Sequence, residues 1–479
     1  MRSSVVSSLR RIHGLLTPMS IEGRLRWRPT LLLYMLSHGF MLASWNALYW
    51  DDWITYAGGR QGTIDVFAEC SRCTIPFRGE IEGLLIAPGP WLMRLLVFVF
   101  FPIIALLTQQ FLRRTQWLQR DEETIIALGV LFLPMFGARI ALINFQYTIS
   151  LLLFVLGAWM VLSPRQVTRL VSLVPIFWSM FTQSLQVFVV VLIVVLLAKL
   201  VVRQSAFTLD RVLVVASLLF FPMIHRYGIA ALLPEFGVVD GYNTIRTTFL
   251  IRAVLVASIL ALPLVAIAFR RRNGRVEERP VVLVAVGLAV LAAGTFPYLA
   301  VGHFPNISDW ILPLLPDQSD WNSRHQLLQP IGLAIVVLGV SKMMGQYRRT
   351  FVLFVVGISV CLNAATYSGY YLDSLKQKTV LSYLADNGDA LRAATAVVVD
   401  DAASDYNARG RGIRSYELQA MVETVVGTKV TLGYFSYDYC NSQKPDLLMR
   451  ITPTGGRTTG LVQRKAAVNV TIEPFFTCK

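Results

Sequence analysis

Charge is what this chain holds least of. Asp, Glu, Lys and Arg make up 15% of its 479 residues, 55% are hydrophobic, and the mean hydropathy is +0.56. Soluble domains carry roughly a quarter of their residues charged, so an ordinary water-soluble globule is excluded. Acidic residues are the scarcer sign, 29 against 44 basic. Cysteine is sparse at five residues, and a Cys70-x-x-Cys73 metal site lacks two further ligands nearby. No internal repeat is visible, which removes the usual signature of a transporter. No apolar run precedes residue 30, and the first one is long enough to span, so no cleavable leader is expected.

What the chain has instead is long apolar stretches, enough for a polytopic membrane protein with a hydrocarbon core of ~30 Å to cross. Candidate spans are 30–49, 91–112, 211–224, 247–269, 281–300, 326–343 and 350–368. Two stretches, 124–162 and 170–202, are long for one helix at ~1.5 Å per residue. The first is expected to be a hairpin broken between Gly137 and Gln146. The second offers a turn at Thr182-Gln183-Ser184-Leu185-Gln186.

Charge decides that turn. With hairpins in both places, every basic cluster falls on one side of the membrane: the N-terminal arginines, Arg113/Arg114/Arg120, Arg165/Arg169, Lys199/Arg203/Arg211, Arg270 to Arg279, and Lys342/Arg348/Arg349. These inner segments hold 22 of the 44 Lys and Arg but 7 of the 29 Asp and Glu, as the positive-inside rule requires. The expected topology is about eleven spans, N-terminus in the cytoplasm and C-terminus outside. The basic excess then reports orientation, and nucleic acid is not expected as a partner. Residues 1–29 form a basic juxtamembrane segment suited to anionic lipid.

Domains follow from this topology. Residues 30–370 are the membrane core, with extracytoplasmic loops at 50–90, 225–246 and 301–325; residues 371–479 are a separate small α/β domain. In that tail, Ala393–Val399 is a buried-strand run closing on Asp400-Asp401. Residues 415–426 are expected as a helix ended by Gly427, with strands at 429–435 and 447–451. Asp400-Asp401 is expected to be a turn carboxylate pair before a metal or sugar site. Cys70, Cys73, Cys440 and Cys478 all face an oxidising side, and Cys440 with Cys478 is the expected disulfide. The sequons at Asn306 and Asn469 also face outward.

Two constellations carry candidate chemistry. In Asn46-Ala47-Leu48-Tyr49-Trp50-Asp51-Asp52-Trp53, an acidic pair leaves the first span between two tryptophans. Adjacent side chains diverge by about 100° on a helix, so the pair cannot share one proton without a turn. A division of labour is expected, one carboxylate facing a cavity and the other tied to a basic partner or a metal, with Asp51 facing the cavity. Trp50 and Trp53 fit an interfacial belt and could equally stack on a sugar. The second constellation is Arg324-His325, where a five-donor guanidinium suited to phosphate opens a late span on the outer side. Arg94, Arg139, Arg246 and Arg252 are weaker candidates for that role. Gln183 and Asp240 are possible cavity-lining residues, and Gln183 also suits a turn.

An acidic pair after the first span, short paired helices in the middle, an Arg-His at the outer start of a late span and an extracytoplasmic tail together resemble the GT-C glycosyltransferases. The likeness runs to the bacterial O-antigen glucosyltransferases of the GtrII type. Phe181-Thr-Gln-Ser-Leu-Gln186 is similar to their Tyr-Gln-Ser element, with Thr182 where the aromatic residue belongs. The resemblance covers the layout of residues 30–368 and does not extend to the tail. It implies a polyprenyl-phosphate-linked sugar as donor, held at its phosphate by Arg324 and His325. It implies Asp51 or Asp52 as catalytic base toward a glycan or lipid acceptor of the cell envelope, with inversion, at the periplasmic face of a bacterial inner membrane. A divalent cation, Mg or Mn, could share the stabilisation of the leaving phosphate. The alternatives are a transporter or flippase of lipid-linked sugars, or an O-antigen-type polymerase.

Overall fold

A computed structural model describes residues 17–20, 23–69, 75–202, 208–228, 279–302, 324, 326–403, 413–427, 430–434, 445–454 and 468–474, with isolated residues between 247 and 255 and at 443. The chain is mostly helical. From the N-terminus come α1 (Trp27–Ala43), three short helices α2 (Asp52–Tyr56), α3 (Gly59–Glu69) and α4 (Arg78–Ile86), and then α5 (Pro90–Thr115) and α6 (Arg120–Phe132). After them follow α7 (Phe145–Val161), α8 (Gln166–Val171), α9 (Leu173–Ser179), α10 (Leu185–Val202), α11 (Leu209–Met223), α12 (Arg279–Ala300), α13 (Gln329–Met343) and α14 (Arg348–Asp386).

Four helical stretches are long and apolar enough to cross a membrane: Pro90–Thr115, Leu142–Val161, Pro280–Ala300 and Gly345–Asp386. Leu185–Lys199 and Gln329–Met343 are apolar but shorter. The eleven expected spans are therefore represented by four among the described residues. Helices α1 and α11, at 17 and 15 residues, lie on expected spans but are short; most of 247–269 lies outside the described residues.

Both expected breaks are present. The stretch 124–162 stops at Leu133 and resumes at Phe145, with 3-10 turns Gly137–Ile140 and Leu142–Asn144 between. Non-helical backbone at this depth needs internal partners for its polar groups. It has them: Arg94 donates to the carbonyls of Ser44, Ala47 (2.9 Å) and Ile140 (3.1 Å), and Asn144 donates to that of Ala138. Arg139 is buried against Phe101, donating to Tyr367 Oη and to His38 Nε2. A guanidinium donor requires that nitrogen to be bare, so the ring proton sits on Nδ1, toward Ser37 Oγ. Arg94 and Arg139, expected as minor phosphate candidates, are thus committed to the bundle interior.

The second break falls at residues 180–184. Helices α8 and α9 run alongside α11 from the Arg169–Asp210 pair to the edge contact of Phe177 on Phe221. Helix α10 returns, so that Lys199 lies near Arg169 and Arg211 again. Among the described residues, the basic clusters around Arg113, Arg169, Lys199/Arg211 and Lys342/Arg348 accordingly meet at one end of the bundle. There the acidic first turn of α6 is shared out: Asp121 to Arg348 (2.7 Å), Glu122 to Lys342, and Glu123 to Arg113 (3.3 Å). Lys199 donates to the carbonyl of Arg114 (2.6 Å) and Arg349 to that of Met19 (3.2 Å).

Helices α12 and α13 pack antiparallel through small residues. A Cβ on Gly332 would stand 2.4 Å from Leu291 N, one on Gly287 2.6 Å from Val336 N, and one on Gly339 2.8 Å from Val284 N. This is the close approach that small residues permit between apolar helices.

Helix α14 runs unbroken through residue 371 and carries the tail directly. Beyond it lie α15 (Gly388–Ala393), β1 (Ala396–Asp401), α16 (Ser415–Val426), β2 (Thr431–Tyr434), β3 (Leu447–Pro453) and β4 (Val468–Pro474). The sheet order is β2-β1-β3-β4, with β1 parallel to both neighbours and β4 antiparallel to β3. Central β1 is buried on both faces, which explains its uninterrupted Val397-Val398-Val399. Strand β4 was not among the expected elements. Asp400 and Asp401, expected in a turn, instead end β1, where Asp401 pairs with the buried Lys376 of α14 (3.3 Å) and Asp400 with Arg450 (3.2 Å).

Candidate functional site

The acidic pair sits at the end of the bundle opposite the basic clusters. Trp50 takes a left-handed backbone conformation (φ 55°), rare for a bulky residue, and this turns the chain into α2. The two carboxylates part there. Asp52 is fully buried and accepts three backbone N–H groups: Tyr49 (3.0 Å), Leu142 (2.9 Å) and Ile143 (2.7 Å). It pins the broken segment between α6 and α7 to the start of α2. Burial pushes its carboxyl up to about 7, against the three N–H donors and the charge of Arg94. Asp51, only partly buried, instead accepts the hydroxyl of Tyr416 (2.9 Å) from α16 of the tail domain. Burial and the Asp51 charge push that phenol up, which keeps it a donor.

The flanking tryptophans are core residues. Trp50 and Trp53 are 6% and 5% exposed, and Trp50 stands edge-on to Tyr370 (5.7 Å). Stacking on a sugar is closed to both in this arrangement. Tyr49 fixes the same corner by donating to the carbonyl of Tyr370 (2.7 Å).

Next to Asp52 lies a buried network that sequence inspection did not single out. Glu82 accepts from Arg78 Nε (2.9 Å) and from the Tyr56 hydroxyl, and Arg78 also donates to the carbonyl of Ile143 (3.1 Å) over the ring of Phe67. Burial raises the Glu82 carboxyl while the Arg78 charge opposes it. The i, i+4 spacing of Arg78 and Glu82 was the available signal. Tyr416, 365 residues from Asp51, had none.

Arg324 is 8% exposed and lies within electrostatic range of the Tyr298 phenol. Tyr298 donates to Ser184 Oγ (3.0 Å), and Thr182 donates to Ser150 Oγ (2.8 Å). The middle-helix element Phe181 to Gln186 and the arginine that opens the late span therefore share one tyrosine. Gln183 is exposed in the turn, as the turn reading expects. His325, Asp240, Cys70, Cys73, Cys440 and Cys478 lie outside the described residues, as do Arg246, Arg252 and Asn306; Cys361 is an exposed free thiol on α14. Among the described residues no three His, Cys, Asp or Glu side chains converge as a metal site.

No family model, curated protein or solved structure matches this chain. Its own geometry is therefore the ground for a functional reading. That geometry offers one partly buried carboxylate at a junction with the tail domain, and one buried guanidinium near the Tyr298 phenol at the same end of the bundle.

Proposed function

We propose that the chain is an integral-membrane, inverting glycosyltransferase that moves a sugar from a polyprenyl-phosphate donor to a cell-envelope glycan or lipid acceptor. The observation that carries the reading is the grouping of Ser184, Tyr298 and Arg324 at the end of the bundle that also holds the acidic pair. The sequence resemblance supplies the reaction class. With Asp52 committed to three backbone N–H groups, Asp51 takes the role of base. The acceptor hydroxyl gives its proton to Asp51 as its oxygen bonds to the anomeric carbon. The bond from that carbon to the phosphate oxygen breaks on the opposite face, and polyprenyl phosphate leaves as an anion facing Arg324.

The test is transfer of labelled hexose from a polyprenyl-phosphate donor by purified protein in nanodiscs. Asp51→Asn is expected to lower the rate by roughly 100-fold or more at normal abundance, the usual scale of a lost general base. Arg324→Ala is expected to raise the donor KM. Undiminished transfer by Asp51→Asn removes the assigned base, and absence of transfer by wild-type protein with every donor offered removes the reaction.

A further inference from the structure

Of the two carboxyl oxygens of Asp51, Oδ1 takes the Tyr416 hydroxyl at 2.9 Å, and Oδ2 has no donor among the described residues. The backbone of Asp51 is already fixed. Its carbonyl accepts from the Thr55 backbone N–H (3.0 Å) and hydroxyl (2.9 Å) as α2 begins. A carboxylate held only through its backbone still turns about its terminal torsion, whose preference is broad. The phenol removes that freedom and leaves Oδ2 for an incoming hydroxyl.

Helix α14 sets the distance between the two residues. Tyr49, just before Asp51, donates to the carbonyl of Tyr370 (2.7 Å). Further along the same helix, the buried Lys376 donates to Asp401 (3.3 Å) and to the Ala403 carbonyl (3.0 Å) of the tail domain. The interval 370–376 is less than two helical turns, roughly 9 Å. Both ends of the Tyr416–Asp51 bond are therefore referenced to one short piece of one element. Within the tail, Leu418, Met421 and Val422 are fully buried and anchor α16, which packs on both α14 and α2. These anchors and the Lys376–Asp401 pair seat the domain without help from a hydroxyl on Asp51. Burial and the Asp51 charge push the phenol up, so it remains a donor.

We propose that Tyr416 is a positioning residue for Asp51, fixing the plane of its carboxylate so that Oδ2 meets the acceptor hydroxyl. This rests on Asp51 as the base of the proposed transfer, and it makes the tail domain part of the site. The test uses the full chain in nanodiscs with a labelled polyprenyl-phosphate hexose. Tyr416→Phe keeps the ring and removes only the hydroxyl. It is expected to lower kcat about tenfold with donor KM held within about twofold, the mark of a misaligned reacting group. In the Asp51→Asn background the same substitution is expected to change the residual rate by less than about twofold, because no base remains to align. A readout independent of turnover is the carbon-13 resonance of the Tyr416 Cζ in tyrosine-labelled protein, assigned by its loss in Tyr416→Phe. It should move upfield in Asp51→Asn, as the acceptor of the phenol loses its charge. With wild-type protein active, an unchanged kcat in Tyr416→Phe, an equal loss in both backgrounds or an unmoved resonance overturns the role of Tyr416 and leaves the transfer standing. Wild-type protein that transfers nothing from any donor offered removes the base, and the positioning role with it.

Discussion

A carboxylate that accepts three backbone N–H groups is a structural clamp, and this fact separates Asp52 from Asp51. An asparagine at 52 keeps one acceptor oxygen and turns an amide toward an N–H, as at Ile143, leaving a buried donor facing a donor. The expected cost is about 1–3 kcal/mol, while Asp51→Asn keeps an oxygen to accept the Tyr416 hydroxyl and leaves stability nearly unchanged. Asp52 also predicts a pH dependence. Its folded pKa of about 7 stands above the unfolded carboxylate value near 4. Between those values the folded state holds a proton that the unfolded state releases, so stability falls as pH rises through that window and levels off above it. A gap of about three units sets an upper bound of roughly 4 kcal/mol. Thermal unfolding in detergent from pH 5 to pH 8 measures this slope, and Asp52→Asn should flatten it. The same slope in wild-type and variant would show that another group titrates.

At the scale of elements, the contact between α12 and α13 is set by backbone proximity. Gly332→Ala places a methyl 2.4 Å from Leu291 N, a distance that forces the helices apart and forfeits packing along both. The expected loss is about 2 kcal/mol or more. Gly357→Ala on α14 meets nothing within 4 Å and should hold or raise stability, as alanine is the better helix former. Unfolding midpoints of the two variants decide the matter, and equal values would mean the helices can separate freely. The elements themselves were partly legible in the sequence. Apolar runs gave α5, α12 and α14, charge bias gave the fold-back at 180–184, and Gly427 marked the end of α16. Strand β4 was legible but missed: Val468, Val470 and Ile472 alternate with polar residues, the period of a half-buried strand. The partners of Asp52 were hidden. They are backbone groups of Leu142 and Ile143, some 90 residues away, and backbone donors leave no trace in residue type. The divergence of the two aspartates was readable from helix geometry alone, whereas the burial of Trp50 and Trp53 depended on Tyr370 and the tail domain.

For the molecule as a whole, α14 decides the arrangement. It begins at Arg348, ion-paired to Asp121 at the basic end, and runs 39 residues to Asp386, roughly 58 Å at ~1.5 Å per residue. A hydrocarbon core of ~30 Å accounts for about half of that length. The remainder projects beyond it and delivers the α/β domain to the side opposite the basic clusters, where Tyr416 meets Asp51. Lys376, buried in that projecting part and paired with Asp401, fixes the domain to the helix. Charge asymmetry then supplies an orientation to test. With the proposed orientation, basic end toward the cytoplasm as the positive-inside rule favours, the tail domain, the acidic pair and Arg324 would share the opposite side. Alkaline phosphatase fused after Lys479 should be active and a fluorescent protein fused there dark, with the reverse for fusions ending at Gln116, in the turn after α5. A fluorescent C-terminal fusion would place the domain in the cytoplasm, and the proposed transfer with it.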